Sequence, residues 1–470
     1  MSVDLIPMLP ERSSGSQSDP QAALGGRTLP AIQFGKARSF LQRYSALAWR
    51  SDFVRKVFET YATQITLIVA GLANTVVVTR SLGPAGRGLY AVALAIGYLG
   101  VQFGNLGMPA SNTYYLAQDR KLLAPLLGNS LMVSFGFGGL GAAVVGLLFV
   151  LRPAWAPTHG PLLLLGLAWI PMGLLYLLLE RLLLGLHDVR SFNKVELMNR
   201  FSALALVGAV ILMHHIKPEA ILIANLLGMV VSCIWAMSKL VPWLDRFPWP
   251  SWEFFQTHFG VGLRAYIITA LSLLLIRADL LMVKYLLGPE QTGYYSIAST
   301  MADYILMLPS VIALILFPRL SATRDLNEKL HRAKSATVGT ALALLPLLVL
   351  ASVGARLAVR VLFGKAFLPA ADAFIWLVPG IFSLGIEVTL VQFLNSVGYP
   401  RIVVLVWLLS VFGNVGANFW AIPRFGINGA SAVSSFSYSL ALLAIMFIIW
   451  RGYYPASNEV PAITPEEISV

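Results

Sequence analysis

The sequence predicts an all-α integral membrane protein of about twelve transmembrane helices, built as two six-helix bundles that repeat one another in parallel. Composition, the recurrence of long apolar runs and an internal repeat carry that prediction. Of 470 residues, 57% are apolar types and 12% are charged, against roughly 25% charged in soluble domains. A hydrocarbon core of roughly 30 Å takes about 20 apolar helical residues to cross, and such runs recur from residue 61 to residue 450. A transmembrane β-barrel would show short alternating segments of about ten residues, so that class is excluded.

In chain order, the expected spans of the first half are 61–80, 89–110, 129–151, 161–186, 195–214 and 219–241. Those of the second half are 262–287, 292–318, 336–362, 372–396, 402–422 and 427–450. Residues 1–58 read as a disordered cytoplasmic tail rich in Ser, Gly and Pro, followed by an interfacial helix. In that helix Phe40, Tyr44, Leu47, Val54 and Phe58 share a face, with Arg43, Arg50, Arg55 and Lys56 among them. The first bundle then covers 59–241, a connector 242–261, the second bundle 262–450 and a cytoplasmic tail 451–470. Trp243, Trp249 and Trp252 suit the connector to a membrane interface.

Charge sets the orientation. Lys and Arg are enriched in cytoplasmic loops, and most of the 34 basic residues fall on the N-terminal side of the membrane when the chain is threaded through twelve spans. Both termini are therefore expected in the cytoplasm. The net charge of +12 is scattered over loops rather than gathered on one soluble face, so nucleic-acid binding is not expected. Cys233 is the single cysteine and lies inside an apolar run. That removes disulfide frameworks and cysteine metal centres.

The repeat fixes the architecture. Leu82-Gly83-Pro84, followed by Gly88, Tyr90, Ala91, Val92 and Ala93, returns at an offset of 205 residues as Leu287-Gly288-Pro289, then Gly293, Tyr295, Ser296, Ile297 and Ala298. Any short interhelical turn favours Gly and Pro, but turn chemistry alone does not align so many further positions. An even number of crossings separates the copies, so the halves share one orientation. Transporters built from parallel repeats place their site near the midplane between the halves.

No phosphate loop, zinc-protease histidine pair or nucleophile elbow is present, and no catalytic constellation emerges; the chain is not expected to be an enzyme or to hold a metal or cofactor. Gly136-Phe137-Gly138-Gly139-Leu140-Gly141 matches the dinucleotide fingerprint in letters, but it lies inside an apolar run and reads as small-residue helix packing. Ionisable residues within spans are more informative, each costing about 2.5–3.5 kcal/mol at a helix centre. Arg277 and Asp279, spaced by two, point about 200° apart on a helix, so they cannot pair and each needs its own partner or a wet cavity. Asn74 aligns with Asp279 in the repeat as a cavity polar group. Asp303 and Glu387 lie near span centres, where carboxylates serve ion pathways or pair with arginines. Arg200 and Arg264 lie one to two turns inside cytoplasmic helix ends, where they either snorkel or line a cationic cavity. Arg80, Arg181 and Lys284, nearer the ends, read as anchors. Gln392, Asn395, Asn414 and Asn418 either line a cavity or bond neighbouring helices.

Several motifs give the chain a family resemblance: Gly262-Leu263-Arg264-Ala265-Tyr266, Arg277-Ala278-Asp279, Leu287-Gly288-Pro289, Gly293-Tyr294-Tyr295-Ser296-Ile297-Ala298, Leu308-Pro309 and Phe317-Pro318-Arg319-Leu320. With the first-half 82–91 segment and Phe425-Gly426-Ile427-Asn428-Gly429-Ala430, they resemble the polysaccharide-transporter (oligosaccharide flippase) family of the multidrug/oligosaccharidyl-lipid/polysaccharide exporter superfamily. The resemblance implies a MATE-like, two-lobed, V-shaped transporter in the bacterial inner membrane. Its implied cargo is an undecaprenyl-diphosphate-linked oligosaccharide, an O-antigen, capsule or exopolysaccharide repeat unit. On that reading Arg200, Arg264 and Arg277 bind the diphosphate, and Asp279, Asp303 or Glu387 couple the cycle to protons or sodium. The transport unit is expected to be a monomer among membrane lipids, working beside polysaccharide polymerase and export machinery. Competing readings are a drug/cation antiporter, which favours a pocket of carboxylates and aromatics, a lipid II flippase, and a multispan enzyme acting on lipid-linked sugars, which needs a large outer loop or an acid-base cluster.

Overall fold

The computed structural model describes residues 52–398 and 400–453, without side-chain detail for 52–62, 64, 253–254 and 257–265. The tail and most of the interfacial helix expected over 1–58, and the C-terminal tail beyond Tyr453, lie outside the described residues. From Tyr61 onward the chain forms one compact unit.

Among the described residues there is no strand, as lipid dictates: without water to satisfy backbone groups, an open chain can cross only as helix. The elements are α1 (Asp52–Gly104), α2 (Met108–Gln118), α3 (Leu123–Leu131) running through a π-helical stretch (Met132–Gly138) into α4 (Gly139–Leu151), α5 (Pro161–Gly185), α6 (Val189–Leu212) and α7 (Pro218–Leu240). The second half comprises α8 (Trp252–Leu287), α9 (Pro289–Ala322), α10 (Leu326–Leu362), α11 (Pro369–Ser396) and α12 (Arg401–Tyr453). Among the described residues, ten continuous stretches are long and apolar enough to cross a membrane. Two of them, α1 and α12, are broken by non-helical glycines, Gly83 (φ 66°) and Gly426 (φ 63°), and each therefore supplies two crossings. About twelve spans result, in the expected order.

Helices outrun the apolar segments that announced them. α6 starts at Val189, α8 at Trp252 and α10 at Leu326, because the charged turns at these ends lie beyond the hydrocarbon and still close backbone hydrogen bonds. The turn expected over 81–88 is far tighter than a loop. Gly83 takes the left-handed region that L residues avoid, and Pro84, preset for the first helical position, restarts the helix at once. Gly288 (φ 87°) and Pro289 repeat the device in the second half. The dinucleotide-like glycines fall in the π-helical stretch and α4, inside a crossing. There a Cβ on Gly138 would strike Leu174 of α5, so the small residue serves close packing.

Two large apolar cores follow the two halves. One gathers Leu126, Leu179, Leu183, Val207, Ile221 and Ala236 of the first half. The other gathers Leu275, Tyr295, Phe374, Phe393, Ile422 and Ile445 of the second, with Ala91 and Ala95 of α1 joining it. Phe255, early in α8, packs with Met108, Val133 and Leu178 of the first half. The outward surface is apolar, with Leu212, Leu314, Leu350 and Val353 exposed to the surroundings. Several polar groups inside are joined by hydrogen bonds: Asn112 donates to Ser130 (2.9 Å), Asn418 to Asn414 (2.9 Å), and Asn414 to Ser437 (3.2 Å). Asn414 and Asn418 thus bond neighbouring groups inside the second lobe, and Asn395 donates to Gln392 (3.3 Å).

Candidate functional site

A cavity of about 780 Å³ lies between the halves, lined by α1, α5, α6 and α7 from the first and α8 and α9 from the second. Its wall carries Asn74, Arg87, Gln102, Glu196, Asn199, Arg200, Arg277 and Asp303, interleaved with Tyr90, Tyr98, Trp169, Tyr176 and Tyr304. Arg277 sits ten residues before the end of α8 at Leu287, about 15 Å along the axis, and so near the middle of a bilayer core of roughly 30 Å.

Arg277 and Asp279 face opposite ways, as their spacing required. Arg277 enters the cavity and pairs with Asp303 of α9 at 2.7 Å. Asp279, only 2% exposed, turns into the second lobe. One of its oxygens accepts hydrogen bonds from the Tyr295 hydroxyl and, at 2.9 Å, from the Ser434 hydroxyl. The other accepts from the Leu280 backbone N–H at 2.7 Å. Beside it is a void of about 20 Å³ bordered by Asp279, Tyr295, Ser299, Asp303 and Tyr438, enough for one water or one small ion. Glu387 of α11 is fully buried, and both its carboxyl oxygens are without hydrogen-bond partners.

Arg200 lines the cavity from α6 and Asn74 from α1. Asn74 also donates to Asn225 of α7 at 3.4 Å. Arg264 belongs to α8, and its side chain lies outside the described residues. The cavity therefore brings together Asn74, Arg200, Arg277 and Asp303, whereas Asp279 and Glu387 sit within the second lobe behind it.

Arg87 is the most consequential of the cavity residues that sequence reasoning does not single out, Glu196 and Asn199 being others. Arg87 falls between two expected spans, in the tight turn, yet it occupies the first turn of the restarted helix and is 8% exposed. Its guanidinium stands 5.3 Å from the centre of the Tyr90 ring, a cation–π distance, and its Nε has no hydrogen-bond partner. The available signal was an arginine three residues after a Gly-Pro helix start. Arg80, read as an anchor, instead reaches across the halves: its guanidinium donates to the Val361 carbonyl and, at 2.8 Å, to the Leu362 carbonyl, at the end of α10.

The repeated turns meet each other. A Cβ on Gly88 would strike the Pro289 carbonyl, and a Cβ on Gly293 would strike the Pro84 carbonyl. The two Gly-Pro corners therefore dock reciprocally, backbone on backbone. With the Arg80 clasp and the Tyr285 hydroxyl donating to the Trp155 carbonyl, they hold the lobes together on the side opposite the N-terminal ends of α3, α6 and α8.

Comparison with known proteins follows the same lines. Residues 189–372 match the family described as "Polysaccharide biosynthesis protein". A curated protein of Shigella flexneri named "Putative O-antigen transporter" is 20% identical over 396 residues, 79% of this chain and 91% of that protein. Among solved structures, a multidrug resistance MATE family transporter of the MOP superfamily in an inward-facing conformation superposes with a TM-score of 0.69 at 16% identity. That alignment covers 84% of this chain and 96% of the transporter. The lipid II flippase MurJ in an inward closed conformation gives 0.66 at 14% identity, over 85% and 89% of the two chains. The chain is thus a multi-pass membrane protein with the MATE transporter fold, and the resemblance to the polysaccharide transporters of that superfamily, read from its motifs, holds.

Proposed function

We propose that the protein is a flippase that carries an undecaprenyl-diphosphate-linked oligosaccharide across the bacterial inner membrane by alternating access. The observation that carries this reading is the cavity between the halves, where Arg87, Arg200 and Arg277 converge with five aromatic rings. A diphosphate leaving water needs fixed cations with hydrogen-bonding forks, and sugar rings need flat apolar faces beside polar groups. Arg277 shares its charge with Asp303, while Arg87 offers a guanidinium with an unused Nε. Arg87, Arg200 and Arg277, with Arg264 from α8, are assigned to the headgroup, and Asn74 to the polar wall. A cavity with three arginines against two carboxylates, Glu196 and Asp303, disfavours a drug/cation antiporter, which needs the opposite balance.

With both termini in the cytoplasm, the docked Gly-Pro corners close the outer face and the cavity belongs to a state loaded from inside. Asp279, beside its void, and Glu387, without partners, are assigned to coupling with a proton or sodium ion; Asp303 would enter that coupling by releasing Arg277. The transport unit is a monomer, and polymerase or export machinery would take its product.

The test is leaflet exchange of a fluorescent polyprenyl-diphosphate sugar in vesicles containing the purified protein. Protein-dependent exchange that is lost in Arg87→Ala is the expected result; no exchange across a broad glycan panel would overturn the assignment.

A further inference from the structure

The face that carries the docked corners has a second, unequal pair of symmetric contacts. Arg80, two residues before Leu82-Gly83-Pro84, corresponds at the offset of 205 to Tyr285, two residues before Leu287-Gly288-Pro289. Each donates across the halves to backbone at the end of the other half's third crossing. Arg80 reaches the Val361 carbonyl and, at 2.8 Å, the Leu362 carbonyl, in the last turn of α10. Tyr285 reaches the Trp155 carbonyl, in the short turn Pro153–Trp155 that follows α4. The clasps are reciprocal, but one is cationic and the other neutral.

The last carbonyls of a helix lack intrahelical donors. At the end of α10 the N–H groups of Phe363 and Gly364 both turn back to the Val359 carbonyl, which leaves Val361 and Leu362 to Arg80. A cation at the negative pole of a helix is favourable, yet a carbonyl is a neutral acceptor, and charge-assisted bonds from a guanidinium to phosphate are roughly twice as strong. Arg80 is exposed, and among the described residues no carboxylate forms an ion pair with it. Its acceptors are flanked by Arg360 and Lys365, both exposed, and the acid of this segment, Asp372, is held by Arg356 at 2.9 Å. A phosphate drawn to these cations is repelled by the carbonyl pole of α10, so Arg80 holds it best when swung away from that pole. Anion and clasp are therefore alternatives for one guanidinium.

We propose that Arg80, with Arg360 and Lys365, is a binding site on the corner face for a diphosphate group, and that the bound anion releases the Arg80 clasp and lets the lobes part on this side. The Tyr285 clasp carries no charge and is indifferent to the anion. A ligand that binds the parted state better must favour parting by the same factor. Arg87 lines the cavity on the other side of the same corner, so a lipid-borne diphosphate leaving the cavity would pass from Arg87 to Arg80. That handover rests on the proposed flippase function; the anion-released clasp does not.

Spin labels at Val150 and Leu357, exposed apolar positions near the ends of α4 and α10, report opening on this side without touching the site. They are placed in a Cys233→Ser background of the full-length protein in nanodiscs and read by pulsed electron resonance. The probe is sodium pyrophosphate, with sodium chloride at equal ionic strength as control. In the parent, pyrophosphate is expected to raise the ratio of long to short distances at least about fivefold, the lower end of ordinary coupling between sites. Tyr285→Phe should begin with more of the long population and still respond, whereas Arg80→Gln should begin with more of it and not respond. That contrast separates an anion site from a contact that only holds the lobes. The double variant Arg360→Gln, Lys365→Gln keeps the clasp and should begin like the parent but need at least about fivefold more pyrophosphate. No response in the parent, an equal response in Arg80→Gln, or an unshifted response in the double variant would overturn the proposal. Farnesyl diphosphate in place of pyrophosphate distinguishes the sources of the anion. Opening at a lower concentration supports a lipid-borne ligand; opening by pyrophosphate alone leaves the site standing for a free anion and counts against the flippase reading.

Discussion

Adding one methyl group at Gly88 is expected to push the lobes out of the state described here. Its Cβ would overlap the Pro289 carbonyl and come within 2.8 Å of the Gly293 backbone nitrogen. All of these are backbone atoms, so no rotamer change relieves the clash and the helices themselves must part. Overpacking of this kind costs about 1–3 kcal/mol, equivalent to a population shift of about 5- to 150-fold away from the docked arrangement. Gly293→Ala meets the Pro84 backbone in the same way and should act alike. Gly208→Ala, where a Cβ meets nothing within 4 Å, is the control. Spin labels at the exposed Lys217 and Lys365, placed in a Cys233→Ser background, report the separation of the lobes on this side by pulsed electron resonance. The parent and Gly208→Ala should show a dominant short distance, and Gly88→Ala a new, longer population. A distance distribution in Gly88→Ala identical to the parent's would refute the idea that the repeated corners hold this state.

Other outcomes follow from the same geometry. Arg87→Lys keeps the charge but loses the planar fork, so in a direct binding titration it should bind farnesyl diphosphate more weakly than the parent and more strongly than Arg87→Ala. Asp303→Asn frees Arg277 from its 2.7 Å partner and should tighten that binding, whereas Arg277→Gln should weaken it. Glu387→Gln removes an ionisable group without removing a hydrogen bond; thermal unfolding should be unchanged while gradient-driven transport in vesicles is lost. Asn129→Ala breaks the bonds that the Asn129 side chain makes with the Ser251 carbonyl (3.1 Å) and N–H (2.8 Å). It should lower stability by about 1–3 kcal/mol, the usual cost of orphaning buried polar groups, measured by chemical denaturation.

Sequence patterning exposed the crossings because membrane helices must be long and apolar, and it exposed the two halves because the Gly-Pro corners repeat. Helix ends were harder to place, since the charged turns of α6 and α10 continue the helix after the apolar signal has stopped. That same ambiguity concealed Arg87. Pro84 restarts the helix inside what reads as a loop, and only the docking of the corners explains why a charged first-turn residue is buried. The opposed directions of Arg277 and Asp279 were legible from helical periodicity alone. Their partners, Asp303 on α9 and the Tyr295 and Ser434 hydroxyls, were not, because they depend on which helices become neighbours.

The connector between the halves has a further consequence. Asn129 bonds both backbone groups of Ser251, and Gly128 lies so close to Pro248, Trp249 and Pro250 that a Cβ there would come within 2.6 Å of their backbone. This strap is thus laced to the first half almost to the start of α8. The effective concentration of one half around the other is consequently set by a fixed anchor rather than by the contour length of a random coil. Residues inserted ahead of Pro248 would lengthen the chain without loosening the pair. The same insertion immediately after Ser251 would let the second half drift.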